Sequence, residues 1–432
     1  MANKGTQGIF KSDVTILREL TENNISISVS TTDINGVKQL GLSLDSILPS
    51  MVDIPYEKAD AYAKKNNYDR DNIKYKLYAI QSLIFMFFQA SLSVLSAILL
   101  KLGLTPFYRK DVLENIKNSN LIISGSDEIF KETSSLLSFD IMWLIIWWSM
   151  LFSRTWDVLI AKFIGKNLVM FPNSVGPFKT FIGRNLSKLA LNNYDYVCVR
   201  EPVSYNIVNS MNLSCKKILT SDIALLLPLN ADYCIPMENS IGVCPGVYEQ
   251  GMPDKKIREY INAHAIALDM AIEKYEINVV FIPHYISGFK NDDLSVSEMI
   301  INNMKYKNKT KFIITNSVDE FKSLLNRMNF VISSKMHPAV YATSEFTPTL
   351  CIAYDHKQTG FFKDLNLSNC VIPISDVTAR KLWSKVEYIW NDKINIHNEL
   401  KKIIPILKQK EKEDIRKVLH PYIFKYKNDE RV

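Results

Sequence analysis

Val331-Ile332-Ser333-Ser334-Lys335-Met336-His337-Pro338-Ala339 opens on an apolar, β-branched run and breaks into a polar turn. Such a run reads as a buried strand, here Phe330 to Ser333, whose C-terminal end carries polar chemistry. The following strand, Thr349 to Ala353, ends in a second basic turn, Tyr354-Asp355-His356-Lys357. One histidine alone is an ordinary structural residue. Two adjacent strand ends bearing Lys335, His337, His356 and Lys357 instead suit an anion, because each supplies donors to phosphate or carboxylate oxygens. Upstream, strands read over Ile241–Cys244, Asn278–Ile282 and Lys311–Thr315, and Phe281-Ile282-Pro283-His284 sets a further histidine at a strand end.

The pattern continues toward the N-terminus. A helix over about Ile9–Leu20 precedes strands at Ile25–Ser30, Leu121–Ile123, Asn167–Phe171 and Tyr196–Val199. Alternating strands and amphipathic helices imply parallel sheets with crossover helices, whose ligands sit beyond strand C-terminal ends. The Pro-punctuated segment Leu229–Asn239 places a domain boundary near residue 235. Two α/β halves then face a cleft, a default ligand site. In the first half, Phe171-Pro172-Asn173-Ser174-Val175-Gly176-Pro177-Phe178 follows a strand and reads equally as a structural turn or an anion-binding one. Asp127, after Leu121-Ile122-Ile123-Ser124-Gly125-Ser126, reads as a helix cap or as an orienter of a substrate hydroxyl. Arg200, just past a strand, reads as a member of an internal ion pair.

Composition excludes several classes. At 432 residues, 47% hydrophobic and 22% charged, the chain is neither disordered nor a disulfide scaffold. The net charge of +7 is spread out, and +4 of it falls in the closing stretch 396–432, a basic helical tail with ten Lys or Arg against six acids. Six cysteines without a C-x-x-C pair indicate buried thiols in a reducing compartment. The start, Met1-Ala2-Asn3-Lys4, leads into no apolar signal segment. There is no G-x-G-x-x-G, Walker loop, G-x-S-x-G elbow or H-E-x-x-H, so nucleotide cradles, serine hydrolysis and a protein-held metal lack motifs. No basic strand interleaves aromatics, which leaves nucleic acid without a reader.

Asn3-Lys4-Gly5-Thr6, Ser174-Val175-Gly176-Pro177-Phe178, Val199-Arg200-Glu201-x-x-Ser204, Ser221-Asp222-Ile223-Ala224, Ile332-Ser333-Ser334-Lys335-Met336-His337-Pro338 and Tyr354-Asp355-His356-Lys357 together resemble the polysaccharide pyruvyl transferase family in order and spacing. Lys335 stands where the family commonly has Arg, and Ser126 where it commonly has Gly. The resemblance implies a GT-B-like α/β fold of two Rossmann-like domains: an N-terminal acceptor domain over 1–235, a C-terminal donor domain over 236–395 and the tail 396–432. It implies no bound cofactor, phosphoenolpyruvate as co-substrate, and transfer of its pyruvyl group to a cell-surface polysaccharide or lipid-linked precursor as a ketal. His337 and Asp127 are then the expected catalytic residues. Lys335, Lys357, His284 and Ser334 bind the donor, and Asn3, Asn173 and Ser174 the acceptor. A nucleotide-sugar glycosyltransferase of the same fold, or a silent glycan-binding member, is the alternative.

One feature lies outside the motifs. Leu77–Leu100 contains no charged residue and has the length of a membrane span. A second apolar stretch follows at about 136–160, and both fall as insertions in the N-terminal domain. Because a single crossing would split that domain's sheet, a pair of helices lying in the membrane interface is the leading expectation, ahead of an internal core or subunit contact and of true spans. Trp143, Trp147, Trp148 and Trp156 suit such an interface, and Lys74, Lys76, Lys101, Arg109 and Lys110 suit anionic headgroups. The expected location is the cytoplasm, at the membrane's inner face.

Overall fold

The structure, a computed structural model, describes residues 3–70, 72–132, 141–230, 239–247, 252–286, 288 and 291–423. The first residues of the second apolar stretch (136–140), the side chain of Trp143, Cys234 and the end of the tail (424–432) lie outside the described residues. Two compact units form: one from residues 13–222 and 412–432, the other from residues 1–12 and 223–411. The helices Lys4–Leu20 and Ala379–Ile423 both start in the second unit and end in the first.

The first unit holds β1 (Ser28–Thr31) and β2 (Ser46–Pro49) as a parallel pair. It also holds β3 (Ile122–Ser124), β4 (Asp127–Phe130), β5 (Leu168–Val175), β6 (Tyr196–Val199) and β7 (Lys216–Leu219). These order as β3-β5-β6-β7 with β4 against the far part of β5, all parallel. β5 is buried at all eight positions, which explains its nearly continuous apolar start. The second apolar stretch forms the helix Ile141–Ile164, and it is a core helix: Leu151, Val158 and Ala161 pack with β5 and β6 residues. Trp148 Nε1 donates to Glu132 at 2.9 Å and Trp156 Nε1 to Ser93 Oγ at 2.8 Å, so these indoles are engaged within the unit. Among the described residues of the two apolar insertions, only those of Ile73–Lys101 turn a large apolar face outward.

The second unit holds β8 (Ser240–Cys244), β9 (Asn278–Phe281), β10 (Thr310–Phe312), β11 (Phe330–Ser333), β12 (Thr349–Ala353) and β13 (Val371–Pro373). Their order is β10-β9-β8-β11-β12-β13, all parallel. Chain direction across the sheet therefore reverses between β8 and β11, and ligands of open α/β sheets bind beyond the strand ends at such a reversal. The turn quoted at the outset, Ser334 to His337, stands at that point. The five described cysteines are free and buried.

Candidate active site

Four loops of the second unit converge beyond the strand ends. After β8, Gly246 faces the Lys335 side chain so closely that a methyl group there would collide with it. After β9 comes His284, after β11 the Ser334–His337 turn, and from the chain start the residues Asn3 to Gly5. Asn3 bridges Tyr285 in antiparallel fashion, the Lys4 amide donates to the His284 carbonyl at 3.3 Å, and Asn3 Oδ1 accepts from the Gly5 amide at 2.8 Å. Gly5 has no room for a side chain because the His337 ring occupies that space. Tyr341, one turn beyond His337, donates toward the Lys4 and Gly5 carbonyls at 3.2 and 3.1 Å. The first helical turn is thus fastened against the histidine.

His284 is 4% exposed, and both its ring nitrogens are buried without a hydrogen-bond partner among the described residues. Its ring stacks beside His337, with centroids 6.1 Å apart. Burial, reinforced by His337, Lys335 and Lys4, holds its pKa well below the usual histidine range, so the ring is neutral at physiological pH. Burial likewise lowers the Lys4 pKa, with Glu320 opposing. Lys335 Nζ reaches Asp293 Oδ1 at 3.2 Å, and Asp293 Oδ2 accepts the amides of His284 and Tyr285 at 3.2 and 2.9 Å. Burial raises the Asp293 pKa, and Lys335 offsets part of that rise. The result is a pocket of cations and neutral imidazole with one carboxylate already paired, chemistry that favours an anion.

Ser334 is buried, and its hydroxyl meets Tyr260 Oη at 2.6 Å, which ties the turn to the helix after β8. Asp355 caps the helix His356–Asp364 and holds His356 Nδ1 at 2.8 Å; Lys357, buried, lies in that helix's first turn, one strand further across the sheet. The structure therefore brings Asn3, His284, Ser334, Lys335 and His337 into one neighbourhood, with Asn3 on the side expected for the donor. Asp293, Lys4, Gly246 and Tyr341 join them and were not legible locally. A carboxylate that pairs with a turn two strands away leaves no mark in its own stretch, Asn291-Asp292-Asp293.

The first unit carries Asp127, Asn173 and Ser174. The Asn173 amide donates to the carbonyls of Gly125 and Phe171 at 3.0 and 2.8 Å, and so clamps the Gly125-Ser126-Asp127 loop to β5. Ser174 Oγ accepts from Arg200 Nε at 2.8 Å. Arg200 also pairs with Asp222 at 3.0 Å and Glu128 at 3.3 Å, which is the internal ion pair its position suggested. Asp127 stands half-buried at the start of β4.

Behind this loop, Asp13 accepts the amide and hydroxyl of Ser126 at 2.9 and 2.7 Å. Burial, opposed by those two bonds and reinforced by Asp127 and Asp222, raises its carboxyl to about 7. An unfolded aspartate titrates near 4. Between about 4 and about 7 the folded protein therefore keeps a proton that the unfolded chain has lost, so this contribution to stability is full at low pH and disappears as pH rises through 7. Asp13→Asn cannot ionise and should flatten that decline; urea midpoints at pH 5 and pH 8 will differ less than in the parent protein.

The model of the family described as polysaccharide pyruvyl transferase matches residues 35–356, a span that includes Asp127, Asn173, Ser174, His284, Ser334, Lys335 and His337 but not Asn3 or Lys357. The amylovoran biosynthesis protein AmsJ of Erwinia amylovora is 22% identical over 315 residues, covering 69% of this chain and 72% of that protein. The S. aureus MnaA–UDP co-structure aligns with a TM-score of 0.56 at 9% identity, covering 97% of this chain and 94% of its own. UDP-GlcNAc 2-epimerase from Neisseria meningitidis bound to UDP-GlcNAc gives 0.55 at 11% identity, covering 96% and 97%. Likeness at these identities is one of fold, GT-B-like with two Rossmann-like units, and function has to be argued from the site.

Proposed function

The chain belongs to the polysaccharide pyruvyl transferase family and is a transferase of polysaccharide biosynthesis, and from that premise we propose that it moves the pyruvyl group of phosphoenolpyruvate onto a sugar as a cyclic ketal. The acceptor is a cell-surface polysaccharide or its lipid-linked precursor, met at the cytoplasmic face of the membrane. Free, buried cysteines suit that reducing side.

In this reaction two sugar hydroxyls add to the central carbon of phosphoenolpyruvate. Two C–O bonds form there, and the C–O bond to the phosphate breaks. One hydroxyl proton ends on the methylene carbon, which becomes a methyl group, and the other departs with inorganic phosphate. The step needs an acid toward the methylene carbon or the leaving phosphate, a base near the hydroxyls, and cations for two anionic groups. His337 is the acid or phosphate donor, while Lys335 and Lys357 hold phosphate and carboxylate. His284, kept neutral, offers a hydrogen bond without a fixed charge, and Ser334 shapes the turn. Asp127 orients the acceptor hydroxyl on a loop that Asn173 keeps in place, Ser174, held by Arg200, contributes to the acceptor side, and Asn3 secures the first helical turn beside the histidines. The proposal needs no cofactor.

The observation that carries this reading is the convergence of Lys335, Lys4 and His337 on buried His284 at the β8/β11 reversal. A ligand bound only by the native state stabilises it by RT ln(1 + [L]/Kd), about 2.7 kcal/mol at a hundredfold excess over Kd, and so raises the unfolding temperature. Phosphoenolpyruvate should raise the melting temperature and UDP-sugars should leave it unchanged. Stabilisation by UDP-sugars alone would replace this reading with a glycosyltransferase.

A further inference from the structure

The helix Ile73–Lys101 has its polarity reversed relative to a surface helix of a soluble domain. Its inward face mixes small and weakly polar residues (Gln89, Ser93, Ser96, Ala79, Ala90 and Ala97) with buried Tyr75, Met86 and Leu100. Those polar groups are satisfied. Gln89 exchanges hydrogen bonds with Asp53 at 3.0 and 3.1 Å, Ser93 Oγ accepts from Trp156, and Ser96 Oγ accepts from the Tyr108 amide at 2.9 Å. The outward face carries Leu77, Ile84, Phe85, Phe88 and Leu95 at 52–66% exposure, and Leu102 at 68% continues it. At 1.5 Å per residue its 29 residues extend about 43 Å. A mostly apolar strip of that length, interrupted by exposed Gln81 and Ser91, marks an interaction surface.

Charge identifies what meets it. Between Asp71 and Asp111 the chain has five basic residues and no acidic one; Arg109 pairs with Asp53 and Lys110 with Glu114, which leaves Lys74, Lys76 and Lys101 as the basic rim of the helix. A two-fold contact with a second copy would set this basic rim against itself, whereas an anionic lipid surface attracts it. The depth of contact is set by Asp53. Its carboxylate joins Gln89 near the middle of the helix and is ion-paired with Lys58 at 3.2 Å and Arg109 at 3.3 Å. Near the N-terminal end, Asp60 pairs with Arg70 at 2.6 Å beside Tyr75. A helix crossing the bilayer would carry the Asp53 cluster to the hydrocarbon midplane, where such charges are costly.

We propose that the outward face of the Ile73–Lys101 helix docks on an anionic lipid bilayer, lying in the plane of its interface with the apolar side chains in the acyl boundary and the lysines among headgroups. This surface is independent of the chemistry proposed for the second unit, and either can fail alone.

The test is flotation of the full chain with vesicles of phosphatidylcholine alone or mixed with phosphatidylglycerol. Binding to the mixed vesicles is expected, and Ile84→Ser/Phe85→Ser/Phe88→Ser should lower it at least tenfold while leaving the circular dichroism spectrum unchanged. Lys74→Gln/Lys101→Gln should weaken it about tenfold or more, at roughly 1 kcal/mol per lysine near the surface. Alkaline carbonate should release the protein from vesicles. The proposal is overturned if neither vesicle binds, if light scattering shows a dimer that the triple serine variant dissociates, or if carbonate fails to extract the chain, which would indicate a span.

Discussion

Replacing His337 by alanine is expected to lower kcat for phosphate release from phosphoenolpyruvate by about 10²- to 10⁴-fold, the range typical of a positioned acid–base group. The side chain is half-buried against the first helical turn, and Gly5 leaves it space rather than support. Folding should therefore survive the change, which a circular dichroism spectrum checks. Lys335→Met serves as the comparison. It removes a cation from the pocket and should act mainly on the KM for phosphoenolpyruvate, because a charge that holds the donor in both ground and transition states alters binding before rate. Equal effects of the two substitutions on KM alone would remove His337 from the chemistry.

The largest effect on stability is expected at Arg200. Its guanidinium is 2% exposed and ties Ser174, Asp222 and Glu128 together, and Asp222 is as deeply buried. Arg200→Met leaves the Asp222 carboxylate in the interior without its guanidinium, and breaking a buried pair from one side costs about 3–5 kcal/mol. Denaturation of the variant should show that loss. The double change Arg200→Met/Asp222→Leu should recover part of it, because an apolar pair carries no desolvation penalty. An equal loss in both variants would mean that packing around Arg200, rather than the ion pair, sets the energetics.

The parts of this fold that local sequence reveals are those buried on both faces. Ile241–Cys244, Phe330–Ser333, Thr349–Ala353 and Tyr196–Val199 read as strands because a central parallel strand is largely apolar; the last three occur at those bounds, and the first begins one residue earlier, at Ser240. β2, β7 and β13 escape that reading because they are short and lie at sheet margins, and β4 escapes because Asp127 and Glu128 interrupt its apolar run. The turn bearing Lys335 and His337 was legible because cations at a strand end are locally visible. Asp293 and Asp13 were not, since their partners are remote: Ser126 lies 113 residues from Asp13. The outward turn of Phe85 and Phe88 was likewise hidden. Composition gives a helix that is apolar all along, while Gln89, Ser93 and Ser96 mark the side that faces the protein.

Pyruvyl transfer itself is tested most directly by incubating the purified chain with phosphoenolpyruvate and a panel of nitrophenyl β-glycosides, following inorganic phosphate and the mass of each glycoside. The account predicts one phosphate released per acceptor converted, with the acceptor gaining a carboxyethylidene group that carbon NMR shows bridging two ring oxygens. Consumption of a UDP-sugar by the same acceptors, with phosphoenolpyruvate untouched, would contradict it.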